Sequence, residues 1–389
     1  HLSPSAQLFS PAGEAAARPA DHMVAPIIPS AEGDTMKAAY VNEWCAVGTV
    51  ADTISFGEVP SLAPPKKTEV LVGVKAASIS GDDVGLLQDT FAGGTAHSRK
   101  PSAGYPLVGG MDYAGVVLAC GPDCKKLKVG DRVCGIMKPF EHQPGTWAEQ
   151  TKAPERDVCK IEDDSISFVD AAAVAMGALV DSAMLELAAK ALSFGSGRCL
   201  VIGASGALGT VMLQLLRKYK GHVTAVCSGK NAETVRSMGA HEVIDYTTKP
   251  FGDQLAAEEK FGVVFDFVGG KEVQSSAAPL LERGGLYITA VGRVKGWQFR
   301  KLTSGEFTSA LGYMLRSMCD CCGKYKWSLA QPYPPLTAGI WKVAVIESGA
   351  RAAIAEEVPF AEAPIREALR RVATHHAGGR LVINLERSS

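Results

Sequence analysis

The sequence predicts an α/β protein in which a β-rich domain precedes a doubly wound domain with a parallel sheet. Three observations predict this fold class. The first part of the chain carries short strand patterns separated by Pro and Gly turns. The middle of the chain alternates near-continuous apolar strands with helical segments, as parallel sheets with two covered faces do. A glycine-rich turn joins the first of these strands to the helix that follows it.

Length and charge limit the classes of protein to which the chain can belong. With 389 residues it exceeds one ordinary domain of roughly 100 to 200 residues. Its 40 Lys and Arg residues balance 41 Asp and Glu residues, so no global field attracts nucleic acid or an anionic membrane. The longest unbroken run of apolar and Gly residues, 171–180, is far shorter than the about 20 residues of a spanning helix. We therefore expect neither nucleic-acid binding nor a transmembrane segment.

The cysteines indicate a reducing compartment and no metal site. Most of the ten cysteines lie in strand-like apolar runs, where reduced thiols are usually buried. Cys319, Cys321 and Cys322 are close in sequence, but no second cysteine pair or matching histidines complete a set of four metal ligands.

The elements divide the chain into four parts. Residues 1–35 are rich in Ala, Pro, Ser and Gly and predict an extended arm. Residues 36–165 form the β-rich domain, and residues 166–335 form the parallel-sheet domain, with Ser167 in position to cap an Ala-rich helix. Residues 336–389 carry strand-like pieces and are expected to return to the first domain. The predicted strands are 36–41, 69–76, 114–119, 131–136, 199–203, 222–228, 242–246, 263–268, 285–291 and 380–385.

The N-terminal arm has two interpretations. The chain begins with His1, and the arm contains one arginine, Arg18, and no apolar core, so no transit or secretory peptide is recognisable. One interpretation is the remainder of a processed organelle precursor. The other is an assembly segment that binds a larger complex or a second copy of the chain.

The glycine-rich turn predicts a dinucleotide site. An apolar strand enters its first glycine and a helix begins at its last, so backbone amides and the helix N-terminus face a pyrophosphate. The alternative is a tight turn with no ligand. The residues predicted to contact the cofactor here are Gly203, Ala204, Ser205, Gly206, Ala207, Leu208 and Gly209.

The end of the second strand predicts NADPH as the cofactor. Sites that prefer NAD place an Asp or Glu there to bind the ribose 2′-hydroxyl. This strand instead ends with Ser228, a hydrogen-bond donor, and Lys230, a positive charge suited to a 2′-phosphate. The alternative is that Lys230 is an ordinary solvated lysine. Tyr246, which follows the third strand, completes the predicted cofactor set.

Several motifs jointly resemble the zinc-less branch of the medium-chain dehydrogenase/reductases, the quinone oxidoreductases. The resemblance covers about residues 36–386, and 121–125, 325–327 and 376–384 are most like mitochondrial members of the branch. The motifs are AASI at 76–79, GMDYAGVV at 110–117, KVGDRV at 128–133, GTWAE at 145–149, the glycine turn, and GAHEVIDY at 239–246.

The resemblance implies a GroES-like catalytic domain, a Rossmann domain and a C-terminal return to the first. NADPH would lie in the cleft between the domains and pass a hydride to a quinone or an activated enone. In zinc-dependent members a Cys and a His hold the metal, whereas Ser80 and Met111 stand at the matching positions here. The resemblance thus implies catalysis without zinc.

The same resemblance supplies the candidate catalytic residues Ser80, Asp83 and Asp112, for stabilising and protonating an oxyanion. For the two aspartates, capping or fixing of loop backbone is the structural alternative. Members of the family often carry Tyr at position 84, and Pro and Thr at positions 175 and 180. Further candidates near the cleft are Tyr113, His97, Arg99 and Lys100.

Two functional hypotheses follow. The first is an NADPH-dependent quinone or enone oxidoreductase, in a mitochondrion rather than a plastid. The second is a catalytically weakened NADPH-binding accessory subunit of a larger organellar complex. The second is favoured by Val84, Ala175 and Val180, which replace the polar or cofactor-contacting residues usual in the family.

Overall fold

The computed structural model describes residues 34–90, 106–137, 145–194, 196–219, 221–255, 260–292, 294, 296, 300–306, 308, 326–329, 341–374 and 377–387. Almost all of the predicted arm lies outside these residues, and so does the cysteine group 319–322. The candidates His97, Arg99 and Lys100 also lie outside them.

Sixteen strands and eight helices carry the description below. The strands are β1 (Thr35–Val41), β2 (Ser55–Pro60), β3 (Glu69–Ile79), β4 (Leu107–Val108), β5 (Asp112–Cys120), β6 (Arg132–Ile136), β7 (Gln150–Pro154), β8 (Val158–Lys160), β9 (Arg198–Ile202), β10 (His222–Cys227), β11 (Glu242–Asp245), β12 (Phe261–Asp266), β13 (Leu281–Thr289), β14 (Lys326–Leu329), β15 (Ile354–Pro359) and β16 (Arg380–Asn384). The helices are α1 (Val50–Thr53), α2 (Gly81–Leu87), α3 (Phe168–Phe194), α4 (Ala207–Leu216), α5 (Ala232–Ser237), α6 (Phe251–Gln254), α7 (Lys271–Ala277) and α8 (Glu362–Ala373).

The doubly wound domain is a six-stranded parallel sheet. Its strand order is β11-β10-β9-β12-β13-β14, and every neighbouring pair is parallel. This is the 3-2-1-4-5-6 order of the Rossmann fold, in which the order of the strands reverses between the first and the fourth strand. Strands β9, β10 and β12 are buried on both faces, which explains their near-continuous apolar sequences. The prediction of this fold class is confirmed.

The β-rich domain contains two sheets. Strands β2, β1 and β4 form a small antiparallel sheet, and the larger sheet has the order β15-β16-β3-β5-β6-β8, with β7 beside β3. Strand β16 pairs antiparallel with β3, with Leu381 opposite Ile79 and Ile383 opposite Ala77. The end of the chain is therefore built into the sheet that carries the Ala76–Ile79 motif.

Helix α8 holds the end of the chain in place. Its buried side chains are Ile365, Ala368, Leu369 and Val372, which recur at the spacing of one helical face. They pack in the same apolar core as Leu381 and Ile383 of β16. Helix α8 therefore covers the face of the sheet on which the side chains of Leu381 and Ile383 lie.

Helix α3 links the two domains. As predicted, Ser167 caps it: the Ser167 hydroxyl accepts a hydrogen bond from the Asp170 amide at 3.0 Å. By length and composition Phe168–Ser193 could cross a membrane, but 72% of its most apolar window is buried inside the protein. Burial of that extent is typical of a core helix. Helix α3 contacts β3 and β5 of the first domain and α4 and β12 of the second.

One residue of α3 conflicts with its apolar surroundings. Asp181 is fully buried, and within the described ranges its carboxyl oxygens have no well-formed hydrogen bond; the nearby Met212 backbone amide offsets the effect of burial only in part. Close to it α3 packs tightly on α4, because a Cβ on Gly177 would lie 2.9 Å from Val211. Burial raises the pKa of Asp181 well above its ordinary value, so the neutral acid is the form that fits the core.

We expect Asp181 to make the protein less stable as pH rises. The folded-state pKa lies above the unfolded value of about 3.9, so unfolding releases a proton between these values. The free energy of unfolding should then fall by up to about 1.4 kcal/mol per pH unit in that window. Denaturant unfolding at pH 5 and pH 8 tests this. Asp181→Asn should remove this fall in the free energy of unfolding, whereas Asp123→Asn, at an exposed residue, should leave it in place. An unchanged pH dependence in Asp181→Asn would contradict the prediction.

Candidate active site

The glycine turn joins β9 to α4 at the point where the strand order reverses. Gly203 has a φ of +80°, and a Cβ there would lie 2.9 Å from Val268 Cγ2. A Cβ on Gly209 would lie 2.4 Å from the Gly203 carbonyl oxygen, so helix and turn pack backbone to backbone. Gly203 therefore requires glycine for reasons of conformation and of space, and Gly209 requires it for space alone.

The turn presents backbone donors to its outer side. Gly206 is the N-cap of α4, has no side-chain cap and is exposed. The first-turn amides, which include Ala207, Leu208 and Gly209, have no partners within the helix, and the helix dipole adds positive potential. Ala204 is different: it is fully buried, and its amide donates to the Val226 carbonyl at 3.1 Å. The Gly206 amide is also paired, since it donates to the Gly203 carbonyl at 3.0 Å, so the turn fits a pyrophosphate through the amides of Ser205 and of Ala207–Gly209.

The end of β10 lies beside this turn and carries the predicted 2′-phosphate residues. Ser228 is followed by a single 3₁₀ turn, Gly229–Asn231, and Lys230 is exposed. The Ser228 hydroxyl oxygen accepts a hydrogen bond from Asn231 Nδ2 at 3.2 Å, which leaves its own hydrogen to donate outward. Tyr246 is 49% exposed at the same edge, and its amide donates to the Cys227 carbonyl at 3.2 Å.

Two charged residues at this edge were missed by sequence reasoning. Asp245 ends β11 opposite Cys227 of β10, and a Cβ on Gly229 would lie 2.3 Å from its Oδ2 atom. Arg236 of α5 lies near enough to lower the pKa of the Cys227 thiol, against the raising effects of burial and Asp245. The sequence did contain a signal for Asp245. This residue lies in the motif at 239–246, and the strands of a parallel sheet all end at the same edge.

The turn after β12 forms an apolar wall beside the glycine turn. Asp266 is fully buried, and its carboxylate accepts hydrogen bonds from the Val268 amide at 2.9 Å and the Tyr287 hydroxyl at 2.6 Å. These bonds fix the turn and leave Val268 38% exposed next to Gly203. Sequence patterns gave no sign of Asp266, because a buried carboxylate at a strand end depends on partners from other strands.

The other end of the site begins at α2, where Ser80 and Asp83 form a capping box. Asp83 Oδ2 accepts from the Ser80 amide at 2.7 Å and from the Ser80 hydroxyl at 2.8 Å, and the Asp83 amide donates back to Ser80 Oγ. These are the contacts that the structural alternative predicts. Ser80 is partly exposed, whereas Asp83 is buried.

Asp112 is held by a second group of buried partners. Its Oδ2 atom accepts from Ser78 Oγ and from Arg380 Nη2, each at 2.5 Å. Arg380 is the first residue of β16, so the C-terminal strand delivers this guanidinium. The Thr146 hydroxyl donates to the Asp112 carbonyl at 3.0 Å and secures the backbone. Arg380 was missed because its partner lies 268 residues away.

The two carboxyl groups influence each other. Burial, and then the nearby charge of Asp112, raise the pKa of Asp83 to about 8, although its bonds to Ser80 oppose the shift. Burial also raises the pKa of Asp112, and the Arg380 guanidinium and Ser78 hydroxyl oppose that rise. The ion pair with Arg380 favours the ionised form of Asp112. Near neutral pH the raised pKa of Asp83 therefore favours its protonated form.

The structure thus brings together the three predicted catalytic residues Ser80, Asp83 and Asp112. Tyr113 instead packs in the core of the β-rich domain. A catalytic zinc does not fit this end, because Ser80 and buried Met111 occupy the positions matching the Cys and His ligands. In the described ranges no group of three or more His, Cys, Asp or Glu side chains is arranged to hold a metal ion.

Comparison with known proteins agrees with both halves of this site. Residues 66–163 match the family model "Alcohol dehydrogenase GroES-like domain", and residues 238–383 match "Zinc-binding dehydrogenase". The mouse mitochondrial NAD(P)H oxidoreductase RTN4IP1 is 31% identical over 340 residues, which are 82% of each chain. The chain is a medium-chain dehydrogenase/reductase. It belongs to the quinone oxidoreductase branch, as its motifs predicted.

Two further comparisons extend this family assignment. The Arabidopsis thaliana chloroplastic NADPH-dependent alkenal/one oxidoreductase is 30% identical over 260 residues, covering 65% of this chain and 63% of the relative. The quinone oxidoreductase of Coxiella burnetii has the same fold, with a TM-score of 0.67 and 21% identity over 90% of this chain and all of that one. Val84, Ala175 and Val180, where the resemblance implied Tyr, Pro and Thr, are buried apolar side chains in this medium-chain dehydrogenase/reductase.

The buried ion pair gives a stability prediction. Arg380→Met leaves the Asp112 charge buried without its cation, and we expect a loss of about 3–5 kcal/mol. Adding Asp112→Leu should recover most of this loss, because the double variant has no unpaired charge. Chemical denaturation of the unaltered protein and of these two variants measures both effects.

Arg370 supplies the matched control. It pairs with Asp52 at 2.8 Å, but both side chains are more than half exposed. Arg370→Met should therefore cost less than about 1 kcal/mol. Equal losses for Arg370→Met and Arg380→Met would show that burial does not give the Asp112 pair its importance.

Proposed function

We propose that this protein binds NADPH and reduces a small quinone or an α,β-unsaturated ketone, without a metal. The observation that carries the proposal is that a glycine turn suited to a pyrophosphate and a protonated carboxyl group occur in one reductase fold. The relatives named above support the substrate class, since one is called an alkenal/one oxidoreductase. The mitochondrial name of the mouse relative supports a mitochondrial location.

We assign the binding of NADPH to four groups of residues. The amides of Ser205 and of Ala207–Gly209 would bind the pyrophosphate, and Ser228 with Lys230 would bind the 2′-phosphate. Tyr246 would pack beside the adenosine. Val268 would form an apolar wall next to the turn, which excludes water from that side. When bound, NADPH supplies the hydride.

The residues at α2 would supply the proton. Asp83 is buried, so its proton reaches the outside only through a neighbour, and Ser80 Oγ lies 2.8 Å away. When Asp83 is protonated at Oδ2, the 2.8 Å bond runs from Asp83 to Ser80 Oγ, and the Ser80 hydroxyl hydrogen is free to turn outward. Ser80 would donate this hydrogen to the oxygen or carbon that gains negative charge, while Asp83 passes its proton to Ser80 Oγ and becomes a carboxylate. Asp112 would keep Asp83 protonated through its charge, and Arg380 would keep Asp112 ionised.

The alternative is an NADPH-binding accessory subunit that has lost turnover. One observation favours it: Val84, Ala175 and Val180 place no donor at positions where the family often has a functional side chain. This alternative predicts intact binding of NADPH with no oxidation of it.

A binding titration followed by a turnover assay separates the two functions. NADPH binding is followed by nucleotide fluorescence, and its oxidation by absorbance after adding 1,4-benzoquinone or 3-buten-2-one. We expect steady oxidation with at least one acceptor. Gly209→Ala should raise the Kd for NADPH at least about tenfold, because its Cβ meets backbone, while Gly305→Ala, in open space, should not. Binding without oxidation would reject the reductase for these acceptor classes.

The proposed proton source predicts a pH profile. The kcat should be high below pH 8 and fall above it, because the pKa of Asp83 is about 8 and only its protonated form donates. Asp83→Asn keeps a side-chain acceptor for the Ser80 amide but holds no acidic proton. Its kcat should be roughly 10²-fold lower and should not fall through pH 8. An unaltered pH profile in a variant with normal NADPH affinity would reject Asp83 as the source.

A further inference from the structure

We propose that Asp245 is a specificity-determining residue of the nucleotide site, whose carboxylate opposes Lys230 and reduces the preference for NADPH over NADH. The inference rests on the proposed function, because it concerns the same nucleotide. The proposed function assigns residues that attract the 2′-phosphate, whereas this inference identifies a residue that repels it.

The position of Asp245 follows from strand register. Strands β10 and β11 are parallel neighbours, and Asp245 lies opposite Cys227, the last residue of β10. Sites that prefer NAD carry their carboxylate at the end of that second strand. Here the carboxylate is one strand further along the same edge. It still meets the turn that carries the 2′-phosphate residues, since a Cβ on Gly229 would lie 2.3 Å from Asp245 Oδ2.

The carboxylate cannot easily turn away from this place. Asp245 Oδ1 accepts hydrogen bonds from the Thr247 amide at 2.9 Å and the Thr247 hydroxyl at 2.6 Å. Its backbone carbonyl accepts from Thr248 Oγ1 at 2.9 Å and Gln254 Nε2 at 2.8 Å. The bonds to Thr247 lower the pKa of Asp245, so the group is ionised at neutral pH.

The charges around the turn are of mixed sign. Lys230 on the turn and Arg236 of α5 are cations, while Asp245 and Glu233 in the first turn of α5 are anions. Asp245 and Arg236 have opposite effects on the Cys227 thiol, so both act at the end of β10. A 2′-phosphate carries up to two negative charges and a 2′-hydroxyl carries none. A fixed anion here therefore weakens NADPH binding and leaves NADH binding almost unchanged.

Removing the charge while keeping the hydrogen bonds to Thr247 tests the proposal. Asp245→Asn retains an acceptor oxygen for Thr247, and Asp245→Ser is a second uncharged variant. The Kd values of NADPH and NADH are measured by fluorescence at about 0.05 M and about 0.5 M salt. We expect NADPH to bind about fivefold more tightly to the variants at low salt, NADH to change less than twofold, and the gain to shrink at high salt.

Two control variants accompany the test. Asp123→Asn removes the same charge from an exposed turn of the other domain and should change neither Kd. Lys230→Gln should weaken NADPH selectively, opposite in sign to Asp245→Asn. Equal weakening of both nucleotides by Asp245→Asn and Asp245→Ser would make Asp245 a purely structural residue and overturn the proposal, as would unchanged affinities.

The outcomes also separate this inference from the proposed function. A selective gain in NADPH affinity without oxidation of quinone or enone supports the role of Asp245 and rejects the reductase. Turnover with no selective effect of the Asp245 variants supports the reductase and rejects the role of Asp245. A wild-type chain that binds neither nucleotide overturns both.

Discussion

The buried ion pair between Asp112 and Arg380 connects the two ends of the chain and sets the chemistry between them. Its 2.5 Å contact joins β5 to the first residue of β16, so the C-terminal strand must lie beside β3 for the pair to form. Moving two charges out of water costs free energy, and burying either charge without its partner strongly destabilises the fold. The pair therefore links the return of the chain to the integrity of the site. Through the charge of Asp112 it also acts on Asp83.

The nucleotide turn and the carboxyl groups at α2 differ in the groups they present. The nucleotide half consists mainly of backbone, where Gly203 and Gly209 allow close approach and a helix begins at the turn. The other half consists of buried carboxyl groups whose protonation depends on their neighbours. Backbone donors are insensitive to pH, whereas Asp83 is not. The division suits an oxidoreductase that must hold one reactant firmly and deliver a proton to the other.

The sequence predicted the strands well where burial on both faces makes nearly every residue of the strand apolar. Strands β9, β10 and β12 are apolar on both faces, and each was located to within a few residues. It predicted poorly where an element depends on distant contacts. The short strand β8 and the partly polar strand β15 have no clear pattern of their own, because they are held by β6 and β16.

The sequence by itself determined the class of protein: the glycine turn, the strand and helix alternation and the family motifs identify a medium-chain dehydrogenase/reductase. These features are local, so each is legible within one stretch of chain. Only the tertiary structure decided the surroundings of the charged groups. Arg380 meets Asp112, and Asp245 meets Gly229, across strands that are remote or separate in sequence. Protonation and charge selectivity depend on such neighbours, and sequence order does not record them.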